Sequence, residues 1–348
     1  MLDLERIERD GHTWRNTTVA ELAFKKASET PDRVAFYFEH EPDVTYAAIA
    51  DEAKRLVTGL QSLGLVAGDV ISFQFPNWRE GAALDVAAAA MGLVVNPIVP
   101  IYRDAELRFI LKDARTRLIF IPDQYRSIDY ASMVIGLSHE LPDLDYVVTL
   151  RAKGEVEGAL RYEALIDNPP VEEATLAKVD ANSVKCRLYT SGTTGQPKGA
   201  QLTHRGCVTN IMNIGFSTAV QGTAVARASG VAVPEADPNE VLCALVATPL
   251  FHVTGNNCVA QSIAVAGGKL VHMYKWDAAE ALRVIEAEQV TTFSAVPMMS
   301  RELIAHPDFA SRDTSSLKSM GGGGAALQPD LTEKVDKMMK NASPSVGY

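Results

Sequence analysis

The sequence predicts an α/β fold of open, mostly parallel sheets flanked by helices. Apolar runs of strand length, Val34–Phe38, Val70–Phe75, Val94–Ile98 and Leu118–Ile121, alternate with stretches whose apolar residues repeat at helical spacing. That rhythm implies parallel strands joined by right-handed crossovers, an open doubly wound layer. The length of 348 residues exceeds a usual single domain, so two α/β lobes are expected, 1–180 and 181–348.

Each element follows from local signals. Thr18-Val19-Ala20-Glu21 reads as a capping box, opening a helix with Leu22, Ala23 and Ala27 on one face and a stop near Pro31. After Val34–Phe38, a helix carries Ile49, Ala53, Leu56, Val57, Leu60 and Leu63 at helical spacing and closes at Gly64 and Gly68. A strand at Val70–Phe75, a helix over about 79–92, a strand at Val94–Ile98, a helix begun by Asp104 and a strand at Leu118–Ile121 come next. Arg151–Lys178 is polar and irregular and is expected to connect the lobes.

In the second half Thr203 caps a helix expected to reach about Ile214, and Thr218–Glu240, with no persistent period, reads as a surface excursion. Val241–Ala247 is a buried strand that delivers Pro249-Leu250-Phe251-His252-Val253-Thr254-Gly255 at its carboxyl end, where open α/β sheets bind ligands. Strands at Leu270–Met273 and Thr291–Val296 follow, with helices begun by Asp277 and Pro297 and a last amphipathic helix after Pro329.

Composition narrows the function. A formal charge of −10 and a pI near 5.3 argue against nucleic acid as a partner, because backbone phosphates are gripped by basic surface. Cys186, Cys207, Cys243 and Cys258 lack C-x-x-C spacing, which indicates neither a disulfide framework nor zinc and fits a reducing cytoplasm. Charged residues at Asp3, Glu5 and Arg6 leave no apolar core for a secretory signal. The most apolar stretch, 81–95, is broken by Asp85 and suits a buried helix and strand better than a membrane span.

The chemistry concentrates in Tyr189-Thr190-Ser191-Gly192-Thr193-Thr194-Gly195-Gln196-Pro197-Lys198-Gly199. Glycines let backbone N–H groups turn toward an anion, hydroxyls add donors and the lysine adds a full charge, which together make a polyphosphate cradle. Strand-like sequence on both sides places it between two strands. The Walker pattern fails, since Gly192 and Gly195 are too close and Gly199 follows Lys198. Nearly letter for letter, the stretch resembles the phosphate loop of the adenylate-forming superfamily of acyl-CoA synthetases, peptide-synthetase adenylation domains and luciferases, and Leu202-Thr203-His204 fits as well.

The resemblance implies a layered αβαβα amino-terminal domain, ATP, Mg²⁺ and coenzyme A as cofactors, and a small carboxylic acid as substrate. It assigns the ATP phosphates to Thr190, Ser191, Gly192, Thr193, Thr194, Gly195 and Lys198. Pro249-Leu250-Phe251-His252 is similar to the segment bordering the acyl pocket, which makes His252 and Gly322 substrate-side residues. Gly321-Gly322-Gly323-Gly324-Ala325-Ala326-Leu327 resembles the adenine-binding turn, with Ala326 where proline is usual, so Gly323, Gly324, Ala325 and Ala326 are expected against adenine. Gly347-Tyr348 matches the start of the motif whose tyrosine stacks on adenine.

The magnesium glutamate, the ribose aspartate and the small domain with the catalytic lysine do not occur in these 348 residues. The chain is therefore expected to be part of the large domain, with no metal ligand or catalytic residue assigned and little thioester synthesis of its own. Phe73–Trp78, Asn96–Arg103 and Tyr125–Tyr130 resemble short- to medium-chain or alicyclic acid:CoA ligases. Three functions fit: activation of a fatty or alicyclic acid to acyl-AMP and then its CoA thioester, transfer of the acyl group to a carrier protein or to oxygen instead, and non-catalytic nucleotide binding.

Overall fold

The computed structural model describes residues 17–38, 41–190, 197–228, 230, 241–322, 328–339 and 341–346. The chain divides into two compact units, each built on its own sheet. The first comprises Met1–Phe24, Ala53–Gln74 and Leu84–Ala236, the second Lys25–Glu52, Phe75–Ala83 and Asp237–Tyr348. In chain order the strands are β1 (Val34–Phe38), β2 (Val44–Thr45), β3 (Val70–Phe73), β4 (Val94–Pro97), β5 (Thr116–Pro122), β6 (Gln124–Tyr125), β7 (Ile128–Asp129) and β8 (Tyr146–Leu150). They continue with β9 (Leu160–Arg161), β10 (Val184–Thr190), β11 (Lys198–Thr203), β12 (Cys243–Val246), β13 (Lys269–His272), β14 (Thr292–Ser294), β15 (Ser319–Gly322) and β16 (Ser343–Val346).

The first unit's sheet runs β11-β10-β4-β3-β5-β8-β9, parallel throughout except for the β10–β11 hairpin at one edge. The second unit's sheet runs β16-β15-β14-β12-β13-β1-β2, parallel except for the antiparallel β1–β2 pair. Every residue of β3, β4 and β12 is buried. Parallel strands covered on both faces favour apolar side chains at consecutive positions, which is why these strands read as near-continuous apolar runs; the buried polar exceptions, Ser72 and Asn96, bond to each other, with Asn96 Nδ2 donating to Ser72 Oγ at 2.8 Å. In the second unit Leu245, Val271, Leu282, Ile285, Phe293 and Leu303 form one core, each contributing roughly 1.5–3 kcal/mol of transfer free energy.

The expected caps are in place. The Thr18 N–H donates to Glu21 Oε2 at 2.8 Å and the Glu21 N–H to Thr18 Oγ1 at 3.3 Å, opening the helix Val19–Glu29. The Glu280 N–H donates to Asp277 Oδ1 at 3.0 Å ahead of the helix Ala278–Ala287. The helices expected at 79–92, after Asp104, after Pro297 and after Pro329 are found at Glu80–Met91, Asp104–Ala114, Pro297–Ala305 and Pro329–Met338.

Three expectations change. The helix after Thr203 does not stop near Ile214 but continues to Ala228, so the excursion expected from Thr218 is helical over its first half. Residues 215–223 are almost wholly exposed, so no buried stripe marks a period, and the Thr218 and Thr223 hydroxyls donate to the helix's own Ile214 and Ala219 carbonyls at 2.9 and 2.8 Å. Gly230, at φ 68°, follows the helix in the left-handed conformation common beyond a helix end.

Arg151–Lys178 does not act as a free connection. It supplies β9 and the helix Tyr162–Ile166, buries Tyr162 and Leu165, and pairs Glu173 with Lys54 at 2.6 Å. A Cβ on Gly59 would lie 2.5 Å from the Leu165 carbonyl oxygen, so only glycine permits that approach. Nor do the sheets part at residue 180. β1 and β2 belong with the late strands, and β10 and β11 with the early ones. Strand pairing across more than two hundred residues is a tertiary choice that local patterning does not encode.

Candidate active site

In the first unit the phosphate-type stretch joins β10 to β11, as expected from the strand-like sequence around it. The register pairs Tyr189 with Gly199 and Thr190 with Lys198, so the last two are cross-strand neighbours where the hairpin opens, and both are exposed. Ser191, Gly192, Thr193, Thr194 and Gly195 lie outside the described residues. Behind the opening, a Cβ on Gly199 would sit 2.8 Å from the Arg187 side chain and 3.1 Å from the Tyr189 ring. Glycine thus lets two large side chains fold across the partner strand. The Tyr189 hydroxyl donates to the Asp113 carboxylate and Arg187 Nη1 to the Asp113 carbonyl at 3.3 Å, tying the hairpin to the helix Asp104–Ala114. Burial first, and then the Asp113 contact, push the Tyr189 phenol up to about 12, so it stays a neutral donor.

The base of the hairpin is ionic. Lys185 is fully buried, and its Nζ meets Asp85 Oδ1 at 2.5 Å. Burial pulls the Lys185 ammonium down, but the Asp85 carboxylate more than offsets it, so the lysine stays charged. His204 opens the helix that follows β11, and among the described residues neither of its ring nitrogens has a hydrogen-bond partner. Burial, reinforced by the Lys185 charge, lowers it to about 4. The neighbouring Cys186 and Cys207 are buried free thiols, and contact with Cys207 together with burial raises the Cys186 thiol, which makes it a poor nucleophile.

The second unit places the His252 segment at the carboxyl end of β12, between the parallel strands β13 and β14. The His252 N–H donates to the Pro249 carbonyl at 3.1 Å, and the Thr254 N–H donates to His252 Nδ1 at 3.2 Å. That second bond makes Nδ1 an acceptor, so the neutral imidazole carries its proton on Nε2. His252 is exposed, with a hydrogen-bond donor fixed at the outer ring nitrogen. A π-helix, Thr254–Ala260, begins after the intervening Val253. A Cβ on Gly255 would fall 2.2 Å from the Pro249 carbonyl oxygen, so the first turn of that helix touches the segment as only glycine can.

Gly322 is the last residue of β15, paired in register with Val346 of β16. Gly323, Gly324, Ala325, Ala326 and Tyr348 lie outside the described residues. Sequence reasoning passed over Lys185, Asp85, Asn77 and His272. The interrupting Asp85 in an apolar stretch was the available signal for the first pair. Asn77 lay inside the ligase-like stretch Phe73–Trp78, and for His272 no signal existed, because its partner Asn77 lies 195 residues away.

His272 on β13 is also fully buried, and burial lowers it to about 3, with the Val246 backbone pulling slightly the other way. Both buried histidines are therefore uncharged in the folded chain, while the unfolded chain takes up protons near pH 6.5. Between pH 6.5 and 4 the unfolded state binds more protons, so stability rises with pH and falls on acidification. The expected loss is about 1.4 kcal/mol per pH unit for each histidine below 6.5. Urea unfolding at pH 7, 6 and 5 measures it, and a flat profile contradicts two neutral buried imidazoles.

The profile of a family described as AMP-binding enzyme matches residues 23–348. The chain belongs to that family. Among curated proteins it is similar to the mitochondrial medium-chain acyl-CoA ligase ACSF2 of Mus musculus, with 26% identity over 96% of this chain and 55% of the mouse protein. It is also similar to the long-chain-fatty-acid–CoA ligase of Bacillus subtilis strain 168, with 26% identity over 93% of this chain and 58% of that protein. The chain thus spans little more than half the length of these relatives. The inhibitor-bound N-terminal domain of FACL13 from Mycobacterium tuberculosis has the same fold, with a TM-score of 0.76 and 22% identity over 95% of this chain and 75% of that one. The α/β fold and the adenylate-forming resemblance both stand. No helix among the described residues is long and apolar enough to cross a membrane.

Proposed function

We propose that this chain is the nucleotide-binding part of an ATP-dependent acid:CoA ligase that activates a fatty or alicyclic carboxylic acid. The hairpin carries the reading: β10 and β11 end on the Thr190–Lys198 pair at a sheet edge, the sequence between those two residues is rich in glycine and hydroxyl side chains, and the chain's family is AMP-binding. The names of the mouse and Bacillus relatives support an aliphatic acid of medium or long chain.

In the first step a carboxylate oxygen attacks the α-phosphorus of ATP, the bond to the bridging oxygen breaks, and pyrophosphate leaves with the electron pair. In the second the thiol of coenzyme A attacks the acyl carbon, AMP departs, and the thiol proton passes to solvent. Two anions must meet in the first step while negative charge grows on the leaving group. Fixed donors around the phosphates lower that barrier without reorganising. Lys198 and the hydroxyls of Thr190, Ser191, Thr193 and Thr194 hold the β and γ phosphates, helped by the amides at Gly192 and Gly195. His252 Nε2–H donates to the acid, and Gly322 borders it. Gly323, Gly324, Ala325, Ala326 and Tyr348 receive adenine. Mg²⁺, when bound, would supply charge neutralisation at the phosphates, beside the Lys198 charge and the loop's donors.

Acid-dependent pyrophosphate release by the full-length protein, over a panel of straight-chain and alicyclic acids with and without coenzyme A, tests this. Release that needs both an acid and ATP, with thioester formed when coenzyme A is added, is expected. ATP binding with no acid-dependent release would instead mark a nucleotide-binding module, and release without thioester a carrier-protein acceptor.

A further inference from the structure

We infer that Asn77 is a positioning residue for the carboxylic acid: its side-chain amide brackets the backbone of Thr248 and Leu250 and thereby sets the donor of His252. The inference deepens the ligase reading and rests on its assignment of His252 to the substrate side.

The bracket has two ends. Asn77 Nδ2 donates to the Thr248 carbonyl at 3.1 Å, and the Leu250 N–H donates to Asn77 Oδ1 at 2.8 Å. Because one backbone partner is an acceptor and the other a donor, the amide can sit only one way round. Its second N–H faces His272 Nδ1 at 3.3 Å, and His272 is itself fully buried and stacked on Phe36 with ring centroids 4.6 Å apart. The amide is thus anchored to β13 through a residue with no freedom to move.

What the bracket holds is the peptide just past the end of β12, where the strand ladder no longer supplies partners. The rigidity of Pro249 is not enough there by itself, since a proline fixes only its own φ. With Thr248 and Leu250 tied, the Pro249 carbonyl is oriented to accept the His252 N–H at 3.1 Å. From the other side Gly255 packs against the same Pro249 carbonyl, at a distance that leaves no room for a Cβ. The His252 N–H is therefore held by a carbonyl whose position two neighbours decide, while the His252 carbonyl accepts from the Asn256 N–H at 3.0 Å. Its ring is set in turn by the Thr254 N–H at Nδ1.

The test compares the wild type with Asn77→Ala and Asn77→Asp in the full-length protein. Asn77→Asp keeps the acceptor for Leu250 and loses the donor to Thr248. In acid-dependent pyrophosphate release, Asn77→Ala is expected to raise KM for the acid or lower kcat by about 10- to 100-fold in kcat/KM, as displacing a positioning group does. KM for ATP should stay within about twofold, and Asn77→Asp should fall between. Amide hydrogen exchange gives the second arm: the Leu250 N–H should lose protection in Asn77→Ala and keep it in Asn77→Asp. A rise in KM for ATP that matches the rise for the acid, or unchanged acid kinetics, overturns the positioning role. If the wild type shows no acid-dependent release, the ligase reading fails. The exchange arm then decides the bracket alone, and an unchanged Leu250 in Asn77→Ala overturns it.

Discussion

Lys198→Ala is expected to lower kcat/KM for ATP in acid-dependent pyrophosphate release by about 10²- to 10³-fold, the usual cost of removing one fixed donor from a site where charge develops. The proposed role makes the effect selective. Lys198 stands exposed opposite Thr190 where the hairpin opens, so its charge is available to a ligand. A phosphate tail presents it with several negative oxygens, whereas adenosine presents none. Affinity for adenosine, followed by calorimetry, should change by less than about twofold while affinity for ATP falls by about tenfold or more. Equal losses for both ligands would remove Lys198 from the phosphate role. Lys198→Arg keeps the charge but changes its shape, and should recover binding better than turnover.

The second large effect is on stability. Lys185→Met is expected to cost about 3–5 kcal/mol in urea unfolding, because it breaks an ion pair to Asp85 whose lysine is fully buried. Lys185→Met combined with Asp85→Leu should recover most of that loss, since an apolar pair of similar volume avoids desolvating two ions. A single-variant loss below about 1 kcal/mol would mean that the pair behaves like a solvent-exposed ion pair. The position adds a functional consequence. Lys185 lies on β10, the strand that ends at Thr190, so loss of this ion pair loosens the hairpin at its base.

Much of the fold was legible in the chain because its parallel strands are buried on both faces. Val70–Phe73 and Cys243–Val246 must be apolar at nearly every position, and that pattern is visible without knowing their partners. Caps were legible for the same local reason: Thr18 with Glu21, and Asp277 with Glu280, meet within one turn. The reach of the helix to Ala228 was not legible, since residues 215–223 are almost wholly exposed and impose no apolar period. The pairing of β1 with β13 was not legible either, because nothing in Val34–Phe38 distinguishes one sheet from the other.

By itself the sequence determined the kind of chemistry: glycines, hydroxyls and a lysine packed into Tyr189–Gly199 can serve an anion and cannot serve a core. It also determined that a histidine follows a buried strand at its carboxyl end. Tertiary structure decided what holds those groups still. The Lys185–Asp85 pair, the amide of Asn77 and the close approach of Gly255 each join residues distant in sequence or depend on a backbone path that only packing defines. A ligand-binding residue must be of the right chemical type, which composition displays. A supporting residue needs only the right place, and place exists only once the chain has folded.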